Sequence, residues 1–164
     1  MDAARLFELH HAELLRYLVR LTGDPDAAAD AAQEAFARLV DRRPRGDRLR
    51  AWLFTVATNV VREASNAKRR RTALAGRVMA RPPAGDPPAD PLAATEAADE
   101  RERVRRALAA LAEKERTILL MREEGFTHRE IAEAVGTTTG SVGTMIARAL
   151  DKLAELLPLD LEVP

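Results

Sequence analysis

Five hydroxyl side chains and two arginines lie close together in the segment Phe126–Leu150, which reads FTHREIAEAVGTTTGSVGTMIARAL. Hydroxyls donate and accept hydrogen bonds without charge, and guanidinium groups bind phosphate oxygens, so the set suits the backbone and base edges of DNA. The seven residues are Thr137, Thr138, Thr139, Ser141, Thr144, Arg129 and Arg148. We expect the hydroxyls to make neutral hydrogen bonds to DNA and the two arginines to supply the charge.

The same segment predicts the elements that position these side chains. Thr127 precedes a predicted helix over His128–Val135, and Glu130 completes an approximate capping box. Gly136 permits a left-handed turn, and the last helix is predicted over Ser141–Leu157. Two helices joined in this way predict a helix-turn-helix, whose second helix enters the major groove of DNA. A helical hairpin without a ligand is the alternative interpretation.

Composition and apolar spacing predict that the rest of the chain is helical as well. Apolar residues make up 46% of the 164 residues and aromatic residues only 4%, and the abundance of Ala and Leu favours helices. Further predicted helices run over residues 5–21, 25–41, 49–68, 101–111 and 113–124. Gly23 ends the first of these, and Asp24 with Pro25 begins the second. We expect an all-α protein.

Apolar residues three and four positions apart predict which side of each helix is buried. In the first three helices these residues are Leu6, Leu9, Leu14, Leu18, Leu21, Ala32, Ala35, Phe36, Leu39, Val40, Leu49, Leu53, Val56, Val60 and Ala64. In the last helix they are Val142, Ile146, Leu150, Leu153 and Leu157. We expect the last set to pack on the apolar side of the preceding helix.

A proline-rich segment divides the chain into two parts. Residues 72–99 contain five of the nine prolines and two glycines without a lasting apolar period, which is typical of a flexible linker. As a coil this segment would span about 30 Å, and fully extended roughly 90 Å. We predict two small helical domains, over residues 1–71 and 101–157, joined by a flexible linker over 72–100 and followed by a short tail over 158–164.

Charge follows the same division, although 26 basic and 26 acidic residues leave the whole chain neutral. Residues 1–71 hold 14 Lys and Arg against 10 Asp and Glu, a net charge of +4. Residues 72–100 carry a net charge of −3, from 2 basic and 5 acidic residues, and residues 101–164 carry −1, from 10 and 11. The basic N-terminal part favours a nucleic-acid partner, which the total charge would not.

Several classes of function find no support in the sequence. The chain has no cysteine, only three histidines (His10, His11 and His128) and no glycine-rich phosphate loop with its lysine. We therefore expect no enzymatic activity, no cofactor and no metal site. No signal-peptide pattern and no apolar run approaching the ~18 residues of a membrane span occur, so we expect a cytoplasmic protein without membrane insertion.

Both halves of the chain resemble one family. The stretch LAALAEKERTILLMREEGFTHREIAEAVGTTTGSVGTMIARALDKL resembles the promoter-reading domain of extracytoplasmic-function (ECF) sigma factors, a group within the sigma-70 family. The stretches DAAADAAQEAFARLV and RAWLFTVATNVVREASNAKRRR are similar to two segments of that family's N-terminal domain. The resemblance covers nearly the whole chain. It implies a subunit that binds core RNA polymerase and directs promoter-specific transcription initiation.

The resemblance assigns roles to residues of the N-terminal domain. Asp30, Gln33 and Glu34 match the segment that clamps the β′ coiled coil of the polymerase, and a solvated helix face is the alternative. Further matches belong to the region that melts the −10 element, holds an extruded base and binds phosphates: Arg45, Arg48, Trp52, Asn59, Arg62, Lys68, Arg69, Arg70 and Arg71. Trp52 would stack on the base and Asn59 would pair with its edge, although Trp52 also suits a core position.

For the C-terminal domain, the resemblance implies recognition of the −35 element and contact with the polymerase β flap. The family's recognition helix usually carries basic residues where this chain has Gly143, Met145 and Leu150. Each lost phosphate contact lowers DNA affinity and its salt dependence. We therefore expect residues 101–164 alone to bind DNA poorly, with the polymerase and the N-terminal domain supplying most of the binding energy. Thr58, where the family often has a basic residue, is a lesser departure.

The acidic linker residues have two interpretations. These residues are Asp86, Asp90, Glu96 and Asp99. The resemblance implies that they occupy basic channels of the polymerase, whereas composition alone also allows the linker to be a passive tether. A stretched linker would reach the roughly 70 Å between promoter elements about two duplex turns apart. The resemblance also implies an anti-sigma factor as a partner. The alternative function is a sigma-like regulator that binds DNA or an anti-sigma protein without supporting initiation.

Overall fold

The computed structural model describes residues 3–44, 46–76 and 96–157, and all regular elements in these ranges are α-helices. The helices are α1 (Ala3–Thr22), α2 (Pro25–Arg42), α3 (Leu49–Leu74), α4 (Glu96–Ala110), α5 (Glu113–Glu123), α6 (His128–Val135) and α7 (Thr139–Leu156). Helices α1 to α3 form one compact unit and α4 to α7 form a second. The predicted all-α architecture of two small helical domains is confirmed. Within the described ranges, each helix is too short or too polar to span a bilayer.

The predicted boundary between α1 and α2 is confirmed in detail. Gly23 ends α1 with φ +69°, a conformation that glycine adopts without strain. The Asp24 carboxylate accepts hydrogen bonds from the backbone amides of Asp26 and Ala27 at 2.9 and 3.3 Å. Pro25 is the first residue of α2, where a missing amide hydrogen costs nothing. The sequence TGDPD therefore fixes where the chain reverses direction between the two helices.

The predicted ends of α6 are confirmed as well. The Thr127 hydroxyl accepts from the backbone amide of Glu130 at 3.3 Å, and the Glu130 carboxylate accepts from the amide of Thr127 at 2.9 Å. This reciprocal pair is a capping box. Gly136 follows α6 with φ +68°, so the turn into α7 is left-handed as expected.

The core of the first unit forms where α1 and α3 pack on the alanine-rich side of α2. Tyr17 of α1 is fully buried, and its hydroxyl lies 2.8 Å from Oγ1 of Thr58. Thr58 in turn donates to the carbonyl oxygen of Phe54 at 2.8 Å. Because a threonine hydroxyl has one hydrogen, Tyr17 is the donor of the first bond. Thr58 thus serves the core at a position where the resembled family often has a basic residue.

In the second unit, Arg116 of α5 binds the end of α4. Its Nε donates to the Leu108 carbonyl at 2.7 Å, and its Nη2 donates to the carbonyls of Ala109 and Leu111 at 3.1 and 3.0 Å. The last carbonyls of a helix lack partners within the helix, so the guanidinium supplies them. Burial lowers the pKa of Arg116 from its ordinary value. The arginine of the sequence LAEKER is therefore a structural link between two helices.

Four residues predicted to face the core are exposed. Leu9 is 58% exposed, Val40 and Leu150 are each 50% exposed, and Ala64 is also in the exposed class. The prediction was wrong at these positions because large aliphatic residues satisfy more than one helical register. Five other residues predicted inward are only half-buried: Leu49, Val60, Ile146, Leu153 and Leu157.

The residues that occupy the core instead are small or aromatic. Tyr17 fills the core position on α1, Phe54 and Ala57 lie fully buried on α3, and Ala149 is fully buried on α7. A small residue is buried where two helices approach closely, so aliphatic spacing alone misplaces the inward side of such a helix. Beyond Val61 most residues of α3 are exposed, which is why Ala64 has no core to enter.

Helix ends differ from the predicted ones by two or more residues at four places, the first being the start of α1, which lies at Ala3 and not at Arg5. α3 continues to Leu74 and not only to Lys68, and α4 begins at Glu96 and not at Arg101. α7 begins at Thr139, two residues before the predicted start. Alanine and arginine propagate a helix well beyond the packed part of the domain, which accounts for the longer α3. Asp86, Asp90 and the predicted tail over residues 158–164 lie outside the described residues.

Candidate nucleic-acid and protein interfaces

Asp30, Gln33 and Glu34 lie exposed along one side of α2. Phe36, which was expected on the buried side, is only 8% exposed. Glu34 accepts a hydrogen bond from Nε of Arg38 at 2.8 Å within α2. Exposed pairs of this kind add little to stability, so the acidic stripe is not needed to hold the unit together. Its two carboxylates and one amide form a polar surface that another protein can reach.

Trp52 and Asn59 share one side of α3. They are seven residues apart, which places them about 20° apart around the helix and about 10.5 Å apart along its axis. Both are half-buried, so Trp52 is neither enclosed in the core nor fully exposed. An aromatic ring and an amide on the same side of a helix can stack on an unpaired base and hydrogen-bond to its edge. Arg48 lies exposed immediately before α3, and Arg45 lies outside the described residues.

The amide of Asn59 is oriented by its neighbour Arg62, which donates a hydrogen bond to Oδ1 of Asn59. A guanidinium group has only donors, so the amide oxygen must face it. The two amide hydrogens of Asn59 consequently point away from Arg62. Arg62 is exposed, so the pair combines an oriented donor with a positive charge on the outer side of α3.

The basic run at residues 68–71 lies on a continuous helix and divides between two sides of it. All four residues are exposed. From helical geometry, Arg69 and Arg70 lie within about 80° of Asn59 around the axis, whereas Lys68 and Arg71 lie about 120–180° away. Arg69 and Arg70 therefore extend the surface that contains Trp52 and Asn59. Lys68 and Arg71 are not brought together with it.

A half-buried ion pair anchors the start of α3 to α1. Nε of Arg50 donates to Oε1 of Glu13 at 2.8 Å, and the Arg50 guanidinium lies 5.2 Å from the centroid of the Phe54 ring. Burial raises the pKa of Glu13, but the hydrogen bonds and charges of Arg50 and His10 together outweigh burial, so the pKa lies below its ordinary value. The pair fixes the beginning of the helix whose next turn carries Trp52.

The hydroxyl residues of the second unit surround the start of α7. Thr139 and Thr144 are exposed, and Thr137 is half-buried. Oγ1 of Thr138 lies 2.7 Å from Oγ of Ser141, so these two hydroxyls bind each other and one hydrogen remains for a further acceptor. The structure therefore brings the predicted hydroxyls together, with Thr138 and Ser141 acting as a pair.

The two arginines expected to supply charge here differ in their surroundings. Arg148 is exposed and lies on the same side of α7 as Ser141 and Thr144, within about 60° around the axis. Arg129 of α6 is exposed but forms an ion pair with Glu133 at 3.4 Å, which offsets part of its charge. The surface around α7 is therefore mainly neutral, as its sequence predicted.

Sequence reasoning did not identify several residues that organise these surfaces. The Glu13–Arg50 pair joins two residues that are 37 positions apart in the sequence, and no local pattern signals such a contact. Asn66, by contrast, could have been found from the sequence. It follows Asn59 by seven residues, and a spacing of seven places two side chains on the same side of a helix. Among the described residues, no three His, Asp or Glu side chains are grouped so that they could hold a metal ion.

Two protein-family models match the chain. The model for sigma-70 region 2 matches residues 6–72, and the model for sigma-70 region 4 matches residues 101–153. The first match includes α1 from Leu6 onward, all of α2 and the surface with Trp52 and Asn59, and the second includes α5, α6 and α7 as far as Leu153. The two surfaces described above therefore belong to separate, recognised regions of one family.

Curated relatives and solved structures agree with these matches. The ECF RNA polymerase sigma factor SigG of Mycobacterium tuberculosis is 31% identical over 92% of this chain, which spans only about half (47%) of its length. EcfG of Rhodopseudomonas palustris is 30% identical over 90% of this chain and 80% of its own length. For CarQ of Myxococcus xanthus, an RNA polymerase sigma factor, the identity is 31% and the coverage 96% and 91%.

Two solved structures share the fold. The sigma factor RpoE of Bartonella quintana, solved in complex with the anti-sigma factor NepR, has a TM-score of 0.68 and 24% identity, covering 96% of this chain and 97% of that one. CnrH, solved with the cytosolic domain of CnrY, has a TM-score of 0.63 and 20% identity, covering 96% and 88%. The two matched regions and the sequence relatives establish that this chain belongs to the ECF sigma factors of the sigma-70 family.

Proposed function

We propose that this chain binds core RNA polymerase and directs promoter-specific transcription initiation. The observation that carries the proposal is that Trp52, Asn59 and Arg62 lie on one side of α3. The ring can stack on an unpaired base, the oriented amide can hydrogen-bond to its edge, and the guanidinium can bind its phosphate. The family membership established above supports the same role. In this proposal the chain performs no chemistry, and the polymerase makes the RNA.

The exposed stripe of α2 is the proposed contact with the β′ coiled coil of the polymerase. The side chains of Asp30, Gln33 and Glu34 place hydrogen-bond acceptors and one donor side by side. When a partner covers them, these groups need complementary polar groups on the partner, so the surface selects a partner that provides them. Because exposed ion pairs contribute little to folding, substitutions here should change binding without unfolding the unit.

The surface of α3 is the proposed site of −10 melting. Trp52 stacks on an extruded base, and Asn59 donates from its free amide hydrogens to the base edge. Arg48, Arg62, Arg69 and Arg70 neutralise phosphates of the displaced strand. Arg45, Lys68 and Arg71 stay in the proposal as further phosphate contacts made from other sides of this region.

The second unit is proposed to read the −35 element with neutral groups. The hydroxyls around the start of α7 hydrogen-bond to phosphates or bases, and Arg148 and Arg129 add charge. Contact with the β flap would hold this unit on the polymerase. Affinity for DNA then comes mainly from the polymerase and from the first unit.

Run-off transcription with purified core polymerase that lacks its own specificity subunit tests the proposal. We expect start-specific transcripts with the wild-type chain, and loss of polymerase binding and of transcripts when Asp30 and Glu34 are both changed to alanine. The matched control is Glu8→Ala, which removes an exposed carboxylate from α1. A wild-type chain that fails to associate with core polymerase would refute the function.

Unpaired thymines in the promoter complex, detected by permanganate, test the melting role separately. Trp52→Ala should lose at least about fivefold in open complex, because stacking contributes about 1–3 kcal/mol per base. Trp52→Phe keeps an aromatic ring and should retain most of the signal. Equal effects of the two substitutions would show that Trp52 only packs against the domain.

A regulator without initiation activity is the second candidate function. The mainly neutral surface of α7 favours it, because a helix with few phosphate contacts binds DNA weakly. The two solved relatives each appear in complex with an anti-sigma factor or a partner domain, so an anti-sigma protein is a proposed partner here as well. Transcription with core polymerase discriminates between the two functions, since the regulator would give no transcript.

A further inference from the structure

Two asparagine–arginine pairs repeat along the exposed side of α3. Arg62 donates to Oδ1 of Asn59, and Nη2 of Arg69 donates to Oδ1 of Asn66 at 2.9 Å. In each pair the arginine follows the asparagine by three residues, and the second pair follows the first by seven. The second pair therefore lies about 20° around the helix and about 10.5 Å along its axis from the first. The group proposed to hold an unpaired base thus has a structural copy on the same side.

The chemistry of each pair is more restricted than that of a free asparagine. A free amide offers a donor and an acceptor, which together match the edge of adenine. When the oxygen is held by a guanidinium, the amide hydrogens and the remaining guanidinium hydrogens point outward, so the pair presents mainly donors. Guanine, with N7 and O6, and thymine, with O4, present acceptors in the major groove. The pair fits those base edges better than adenine.

We infer that Asn66 and Arg69 form a second base-reading unit, which takes a guanine or thymine edge at a promoter position different from that of the base held at Asn59. Asn66 and Arg69 are both exposed, and the helix that carries them continues to Leu74, so their position relative to Asn59 is fixed. The inference rests on the proposed function, because it needs a promoter held against α3.

A promoter library randomised across the −10 element and the six positions upstream of it tests the inference. The full chain is assembled with core polymerase, open promoters are selected, and base preference is measured at each position. The variants are Asn66→Ala, Arg69→Ala and Asn66→Asp. The aspartate keeps an oxygen for Arg69 but has no hydrogen to donate, so it separates base contact from mere positioning of the arginine. Lys68→Ala removes one charge from the other side of the same helix and serves as the control.

We expect Asn66→Ala and Asn66→Asp to lose a preference for guanine or thymine of about fivefold or more at one position, distinct from the position affected by Asn59→Ala. Arg69→Ala should lose preference at the same position and, because it also removes a proposed phosphate contact, weaken binding across sequences. Lys68→Ala should only weaken binding uniformly across sequences. A uniform loss with the Asn66 variants would overturn the inference in favour of a phosphate contact. So would an unchanged preference profile. If the wild-type holoenzyme opens no promoter, the proposed function itself fails.

Discussion

Arg116 donates hydrogen bonds to three carbonyl oxygens at the end of α4 and just beyond it, those of Leu108, Ala109 and Leu111. A lysine has a compact ammonium group and cannot span three acceptors in the plane of a guanidinium. The side chain therefore helps to determine how α5 follows α4. The fold therefore explains why an arginine stands at position 116 in the stretch that resembles the sigma factor family.

Arg116→Met should lower the free energy of unfolding by about 2–3 kcal/mol, because it removes three hydrogen bonds from a half-buried guanidinium to the end of α4. Arg116→Lys should fall between methionine and wild type. Urea unfolding measures both. Arg122→Met on the same helix removes an exposed arginine and should change stability by less than about 0.5 kcal/mol. Equal losses at positions 116 and 122 would contradict the assigned role.

Glu13 gives the first unit a defined dependence on pH. Its folded pKa lies below the ordinary value of 4.5, so the ionised carboxylate stabilises the folded chain above that pH, and the stabilisation is lost as pH falls through the folded pKa. We expect wild type to be more stable than Glu13→Gln by about 1 kcal/mol at pH 7, with the difference vanishing on acidification. Urea unfolding between pH 7 and pH 3 measures the difference, with Glu8→Gln as the control for removal of one charge from α1. A difference that is constant with pH would contradict the ion pair.

At the scale of the element, α7 is neutral where a recognition helix is commonly basic. A Cβ added at Gly143 would meet only Cε1 of His128, at 3.8 Å, which is an ordinary contact. The position therefore accepts a side chain without displacing α6. Nothing in the packing of the described residues requires glycine there.

Gly143→Lys should add one phosphate contact and raise the salt-dependence slope of promoter binding by about 0.9. Gly143→Ala should leave that slope unchanged. Both substitutions should raise the free energy of unfolding by somewhat under 1 kcal/mol, since glycine weakens a helix interior. Holoenzyme binding to promoter DNA at several salt concentrations measures the slope. If lysine and alanine give the same slope, this side of α7 does not approach the DNA backbone.

The helix ends could be read from the sequence wherever one residue determines the backbone. Asp24, Thr127 and Gly136 each act within three positions of themselves, so their effects are local and the predicted boundaries are confirmed. The inward sides were harder to read, because burial of Ala149 and exposure of Leu150 depend on which helix packs against α7. That information is tertiary and has no local signal.

For the whole molecule, the neutral second unit implies that free chain and holoenzyme differ sharply in DNA affinity. We expect the full chain without polymerase to bind promoter DNA about 10³-fold more weakly than the holoenzyme, the lower end of the usual gap between non-specific and specific binding. Fluorescence anisotropy with and without core polymerase measures both. Tight, sequence-specific binding by the free chain would contradict this division of binding energy.

The proposed interfaces could be predicted from the sequence where all their residues lie on one helix. Asp30, Gln33 and Glu34 share a side of α2 because of their spacing, and the same holds for Trp52 and Asn59 on α3. The sequence could not show that the basic run continues a rigid helix, or that Arg129 is paired with Glu133. Both depend on side-chain geometry and helix length, which composition does not set.

Because α3 continues unbroken to Leu74, its register links every proposed promoter contact on it. One residue inserted between Asn59 and Asn66 would rotate everything beyond it by about 100° and advance it by about 1.5 Å. The core, which ends near Val61, would scarcely change, yet Arg70 would move from about 20° to about 120° away from Asn59 and so leave its side of the helix. The number of residues between Asn59 and Asn66 is thus constrained by their relative angle around the axis of α3 and not by stability. Seven added residues would change that angle far less than one added residue.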